Sequence, residues 1–247
     1  TRPGVMYAGM DKLGVFKTTD SGINWAEMNE KLMDTYIRAI VIHPARPDVI
    51  YLGTYGGGVH RRSVGISRWE EITQGMKNTY VNALVMVPED PDMMYAVTNG
   101  GISKTTDGGE NWVTVSNGLT TGYMLCLAVE PGNTDVLYAG SDGKGLFKSE
   151  DGGTNWLSVG GDIWMTEALT GIRAAVVSSV AVNPANTAIV YAANSSGVFR
   201  SADSGQTWAQ INTGLTSHQI KSLTVTTMPV TIYAGTADGK IFAYIER

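Results

Sequence analysis

Apolar positions recur along this chain in short bursts and not at helical spacing. Five stretches, IRAIVI at 37–42, VNALVMV at 81–87, MLCLAV at 124–129, VSSVAV at 177–182 and IKSLTV at 220–225, are short and rich in β-branched residues. Their length and content predict strands. Each runs into a proline-bearing connection (HPARPD, PEDPD, EPGNTD, NPANTA, and a looser TTMPV in the last), and proline cannot continue a paired strand. A second strand follows, marked by Tyr7, Tyr51, Tyr95, Tyr138, Tyr191 or Tyr233, each followed by Ala or Leu and usually Gly. After a Gly-rich turn a third strand reads GVFK, GVHR, GISK, GLFK, GVFR or KIFA. No segment predicts a helix.

The third strand leads into the most regular feature of the sequence. TTDSGINW at 18–25 returns as TTDGGENW at 105–112, SEDGGTNW at 149–156 and SADSGQTW at 201–208. A fifth copy, RSVGISRW at 62–69, reads as keeping the framing Ser and Trp but has Val64 in place of Asp. Trp25, Trp69, Trp112, Trp156 and Trp208 lie 44, 43, 44 and 52 residues apart, a period that signals a repeat architecture. Asp20, Asp107, Asp151 and Asp203 can accept backbone N–H groups and close a turn. Gly22, Gly109, Gly153 and Gly205 supply positions where φ can be positive, and each Trp supplies an apolar anchor that opens a fourth strand. These mechanics make the motif a structural staple first.

Four-stranded units repeated radially make a β-propeller, an all-β fold of antiparallel blades. The count is five first strands, six second, six third and five fourth. The simplest reading is six blades in a single domain spanning 1–247, the first and last each short of a strand. Seven blades with a segment missing is the alternative, and five blades leave two strands over. The pattern Ser/Thr-x-Asp-x-Gly-x-x-Trp resembles the Asp box, or BNR repeat, of sialidases, sortilin-type receptors, xyloglucan-cleaving glycosidases and photosystem II stability/assembly factors. The resemblance covers nearly the whole chain and implies the fold, while the same motif sits on propellers with unrelated tasks.

Composition narrows the partners. A net charge of −5 and a pI near 5.2 argue against nucleic acid, whose binding needs a basic surface. The single cysteine, Cys126, rules out an internal disulfide framework and a Cys-based zinc site, and its apolar surroundings fit a buried, inert thiol. No run of 18 apolar residues spans a membrane. His43, His60 and His218 lie in different units without metal or triad spacing, so no cofactor or metal is expected. The first residue, Thr1, and the family resemblance together point to a periplasmic or extracellular location.

Candidate function falls on loops. Propeller connectivity places the turns between first and second strands, with the Asp boxes, on one face. The fourth-to-first and second-to-third connections form the other. Tyr36, Tyr80 and Tyr123 stand just before a first strand, where the remaining units carry Val176 and Gln219. Two residues on come Arg38, Asn82, Leu125, Ser178 and Lys221, and Tyr55 lies in a second-to-third connection. Such groups suit a polar peptide or sugar, or else the tyrosines wedge between blades. The connection 160–174 is about nine residues longer than its counterparts by the same Trp-to-Trp spacing, and it holds Trp164 and Arg173. It is either a ligand contact or a cover for a blade edge. Lys17, Arg61, Lys104, Lys148 and Arg200, which end the third strands, read as pairing locally with the acids just after them. The sialidase arginines and acid/base set have no counterpart at matching positions. The expected function is therefore a non-catalytic scaffold, binding a protein partner within a larger complex through the fourth-to-first and second-to-third face. A carbohydrate-binding or carbohydrate-cleaving propeller is the alternative.

Overall fold

The computed structural model describes residues 3–159 and 176–246. The chain divides into two compact units, Thr1–Val115 and Ser116–Arg247. In the first unit β1 (Met6–Met10), β2 (Gly14–Thr18) and β3 (Ala26–Glu27) form a three-stranded sheet. A second sheet comprises β4 (Ile37–Ile42), β5 (Ile50–Thr54), β6 (Gly58–Arg62) and β7 (Glu70–Glu71). A third comprises β8 (Val81–Met86), β9 (Met94–Thr98), β10 (Gly101–Thr105) and β11 (Val113–Thr114). The second unit holds a fourth sheet of β12 (Met124–Glu130), β13 (Asn133–Ser141), β14 (Leu146–Ser149) and β15 (Leu157–Val159). A fifth contains β16 (Ser179–Val182), β17 (Val190–Asn194), β18 (Gly197–Ser201) and β19 (Ala209–Gln210), and a sixth β20 (Ile220–Thr227), β21 (Val230–Thr236) and β22 (Ile241–Ile245). Within every sheet, strands adjacent in sequence pair antiparallel. The first sheet has no first strand and the sixth no fourth among the described residues, as the counting of markers predicts.

Second strands form the core because both of their faces are covered. Every residue of β5, β9 and β17 is buried, so the apolar run replaces the alternation seen in half-exposed strands. Leu52 is fully buried, a placement contributing about 2 kcal/mol. The glycine after the tyrosine marker has a packing reason. A Cβ on Gly53 would sit 2.6 Å from Val81 Cγ1, and one on Gly9 2.4 Å from Ile37 Cγ2. The next sheet in each case drives a β-branched residue into the space that glycine leaves.

The repeated turn forms as its residues dictate. Thr105 Oγ1 donates to Asp107 Oδ1 at 2.7 Å and accepts the Gly109 N–H at 3.1 Å. The two Asp107 oxygens accept the backbone and side-chain N–H groups of Asn111, both at 2.9 Å. The arrangement recurs around Asp20, Asp151 and Asp203, with the Thr207 hydroxyl replacing the Asn amide in the last. Two consecutive left-handed residues shape each copy: Ser21 and Gly22, Gly108 and Gly109, Gly152 and Gly153, Ser204 and Gly205. The first of each pair donates its N–H to a carbonyl three residues before the tyrosine marker: Gly4, Asp92, Asp135 and Ala188.

The copy at 62–69 departs from this. Pairing of Ile50 with Arg62 matches Met94 with Thr105 and Val190 with Ser201. Arg62, not the expected Ser63, therefore occupies the framing hydroxyl's position, and Ile66 occupies the second glycine's. A β-branched residue at φ near +90° is strained, and here only Gly65 is left-handed, at φ 75°. The turn instead closes through Ile66 N–H to Ser63 O at 3.1 Å and Arg62 Nε to Ile66 O at 3.2 Å.

The tryptophans divide into two kinds. Trp69 and Trp112, both buried, donate from Nε1 to Met28 O at 2.6 Å and Ile72 O at 2.7 Å, carbonyls of the preceding sheet's last segment. Trp25 and Trp208 donate within their own turns, to Gly22 O at 3.1 Å and Gly205 O at 3.0 Å, and Trp25 remains 42% exposed.

Candidate functional site

Before four of the five first strands, β4, β8, β12 and β20, the turn has one design. The N–H groups of Ile37, Val81, Met124 and Ile220 bond back two residues, to the carbonyls of Thr35, Thr79, Gly122 and His218. The bracketed residue, Tyr36, Tyr80, Tyr123 or Gln219, is thus the centre of a three-residue turn. Its carbonyl accepts the N–H of the residue just past the second strand, Tyr55, Asn99, Asp142 or Ala237. Asp34 and Asn78 hold the tyrosine N–H groups of Tyr36 and Tyr80 at 2.9 Å, and Thr121 that of Tyr123 at 3.3 Å. With the backbone fixed on both sides, the side chains project outward. Tyr36, Tyr80 and Tyr123 are 38%, 45% and 57% exposed.

The residue two positions on is singled out by register. Pairing slips between Ile37 and Ala39, Val81 and Ala83, Met124 and Cys126, and Ile220 and Ser222. Arg38, Asn82, Leu125 and Lys221 are therefore the extra residues of β-bulges, which re-aim a side chain at a strand end. The sequence carries no mark of these bulges. The Asp-Thr-Tyr, Asn-Thr-Tyr and Thr-Gly-Tyr tripeptides at 34–36, 78–80 and 121–123, however, encode the side-chain-capped turns that accompany them.

In the first unit the expected residues come together. The Arg38 guanidinium lies 5.0 Å from the Tyr55 ring centroid, and Tyr55 meets Tyr80 edge to face at 5.1 Å. Asn99 Nδ2 donates to the Tyr55 hydroxyl at 3.3 Å, and Asn82 Nδ2 to Asn99 Oδ1 at 2.8 Å. Lys12 Nζ sits 5.8 Å from the Tyr36 ring centroid. The result is an aromatic and amide surface with a stacked cation, joining the second and third sheets. Tyr123 and Lys221, in the second unit, stand exposed at the corresponding turns of their own sheets. Trp164 and Arg173 lie outside the described residues.

At the opposite end of the strands the cation column faces the tyrosine markers, and Lys148 also pairs with an acid just after it, as expected. Register sets Tyr7 against Lys17, Tyr51 against Arg61, Tyr95 against Lys104, Tyr138 against Lys148 and Tyr191 against Arg200. Lys17, Lys104 and Lys148 lie 5.4–5.7 Å from the centroids of their tyrosine rings. The Asp carboxylates are taken by their own turns, so the cations turn to the rings and to glutamates: Arg61 to Glu110 at 2.7 Å, Lys148 to Glu150 at 2.7 Å and Arg200 to Glu246.

Titration follows these contacts. The Asn111 amide and backbone N–H hold Asp107 down at about 2, and the corresponding bonds from residues 24 and 207 do the same for Asp20 and Asp203. Among the described residues, each carboxylate with a displaced acidity is displaced downward. Burial pushes the Cys126 thiol up to about 12 beside Val177 O, making it a poor nucleophile. Burial also lowers His43 and His60. Among the described residues no group of three His, Cys, Asp or Glu could hold a metal ion, and no helix is long and apolar enough to cross a membrane.

No family model matches the chain, and no curated protein matches it. Solved structures do. An ancestral GH74 enzyme is 20% identical with a TM-score of 0.78, over 98% of this chain and 36% of its own. The extracellular domain assigned to a hybrid two component system from B. thetaiotaomicron is 13% identical with a TM-score of 0.73, over 97% of this chain and 31% of its own. YCF48 bound to D1 peptide is 18% identical with a TM-score of 0.68, over 94% of this chain and 72% of its own. The chain thus spans about a third of the length of the first two. At these identities the likeness is one of fold, and that fold is the β-propeller.

Proposed function

We propose that the chain is a non-catalytic Asp-box β-propeller scaffold: one domain of six blades, the first and last each lacking a strand, that binds a protein partner. The binding surface is the loop face of the first unit, built around Tyr36, Arg38, Tyr55, Tyr80 and Asn82; Tyr123 and Lys221 are exposed candidates of the second unit by themselves. The observation that carries this is the edge-to-face Tyr55 and Tyr80 pair under the Arg38 guanidinium. Exposed tyrosines held by turns lose little side-chain freedom on binding, and an arginine stacked on an aromatic ring is typical of contact hot spots. YCF48, a protein of this fold, is bound to D1 peptide in its structure. A periplasmic or extracellular setting accords with the extracellular domain among the similar structures.

The test compares the wild-type chain with an Arg38→Ala/Tyr55→Ala variant as bait under matched conditions. A partner that copurifies with the first and is lost from the second supports the reading. A partner retained equally by both sinks the assignment of the face.

A carbohydrate-cleaving reading draws support from the GH74 likeness and from Glu27 and Asp48, which line one open cavity of about 530 Å³ in the first unit. Release of reducing ends from xyloglucan, abolished by Glu27→Gln, would establish it in place of the scaffold.

A further inference from the structure

The repeat shows what its own tyrosine–cation pairs hold. In the second sheet, Arg61 beside Tyr51 binds the Glu110 carboxylate from the next sheet's turn at 2.7 Å. In the fifth, the Tyr191 hydroxyl donates to Glu246 Oε2 and Arg200 Nε to Glu246 Oε1 at 2.8 Å. In the fourth, Tyr138 donates to the Ser204 carbonyl at 3.1 Å. Each of these three pairs receives an acceptor, a carboxylate at Arg61, at Arg200 and, from Glu150, at Lys148, and each of the three tyrosines is buried.

The first sheet's pair differs. Tyr7 is only half-buried, packs against the core of Val15, Ile37, Ile50 and Trp69, and has Lys17 Nζ 5.6 Å from its ring centroid. The turn that should cover it is 62–69, and that is the copy without the Asp or the second left-handed residue. Between them lies the cavity of about 530 Å³, lined by Tyr7, Lys17, Glu27, Asp48, Arg62 and residues 63–67. Arg62 gives Nε to the Ile66 carbonyl, and its side chain lines the cavity together with the Glu27 and Asp48 carboxylates. The Glu27 carboxylate is held by Asn29 Nδ2 at 2.7 Å.

We infer that this cavity is a binding slot for a carboxylate of a peptide ligand, held by the Tyr7 hydroxyl, Lys17 Nζ and the Arg62 guanidinium, in the place that Glu110 and Glu246 fill elsewhere in the chain. It lies at the opposite strand ends from the aromatic loop face and is independent of it. The carboxylate can be an acidic side chain or a chain terminus, since both present two acceptor oxygens to a cation.

The test is a titration of the full chain, followed by amide and side-chain NMR. Acetyl-Gly-Glu-Gly-amide serves as the side-chain probe, its Gln counterpart as the control, and acetyl-Gly-Gly-Gly with a free C-terminus as the terminal probe. Saturable shifts at residues 7, 17 and 62–67 with a carboxylate probe, and none with the Gln peptide, are expected. The stronger of the two acidic probes identifies the source of the carboxylate. Lys17→Met and Tyr7→Phe should each weaken binding about tenfold, the usual loss of one charge-assisted bond. An Arg62→Ser/Val64→Asp/Ile66→Gly variant, which restores the regular turn, should abolish binding in a chain that is folded and at least as stable. Equal binding of the Glu and Gln peptides, retained binding in the repaired variant, or no saturable shift with either acidic probe would overturn the assignment.

Discussion

The turns at 105–112 and 62–69 join the same two strands of neighbouring sheets, yet one closes on itself and the other leaves a hollow at its side. The difference traces to three residues. Thr105, Asp107 and Gly109 satisfy one another and their backbone, whereas Arg62, Val64 and Ile66 cannot: one is too long, one has no acceptor and one is barred from the left-handed region. Loss of a local network thus does not unfold the sheet, because β6 still pairs along its length and Trp69 is still buried. The turn motif is a cover, and the buried indole is the fastener.

Trp112→Ala tests that ranking first. It removes a buried indole and its bond to Ile72 O, and should cost about 3–5 kcal/mol in urea denaturation. Trp25→Ala, at a 42% exposed site bonded only within its own turn, should cost about 1 kcal/mol. Equal losses would show that the tie to the preceding sheet adds nothing.

Gly109→Ala and Gly65→Ala sharpen the comparison of the turns themselves. A Cβ on Gly109 meets Ile72 Cδ1 at 2.5 Å at φ +93°, while one on Gly65, at φ +75°, meets nothing within 4 Å. The first should lose about 2–3 kcal/mol and the second about 1 kcal/mol, backbone strain alone. Restoring the regular residues at 62, 64 and 66 should raise Tm by about 3 °C.

The smallest effect is acid sensitivity. Asp20, Asp107 and Asp203 have folded values near 2, below the roughly 3.9 of an unfolded chain. Their contribution is complete above about pH 4 and is lost as pH falls from there towards about 2. Urea midpoints measured across that window should fall, and less steeply in Asp107→Asn. A slope unchanged by the substitution would mean that the turn carboxylates do not act on stability.

Much of this was legible in the sequence. The stretch IRAIVI became β4, Ile37–Ile42, residue for residue, because a short β-branched run ending in proline has few other options. The Asp and Gly of each turn announced their hydrogen bonds because those bonds are local. What depended on register was hidden. The bulges that re-aim Arg38 and Asn82 insert no glycine. The tyrosine and cation columns are each visible, but that they face one another requires the pairing of two strands. Ser63 looked like the framing hydroxyl until register placed it one residue out.

The two tryptophan ties carry one more implication. Trp69 and Trp112 each reach a single sheet back, so the linkage works like stitches in a row, every one anchored in the one before. A chain wired this way can gain or lose a whole unit by gene duplication or deletion and keep the remaining stitches intact, and a mechanical load on it would open the row one stitch at a time.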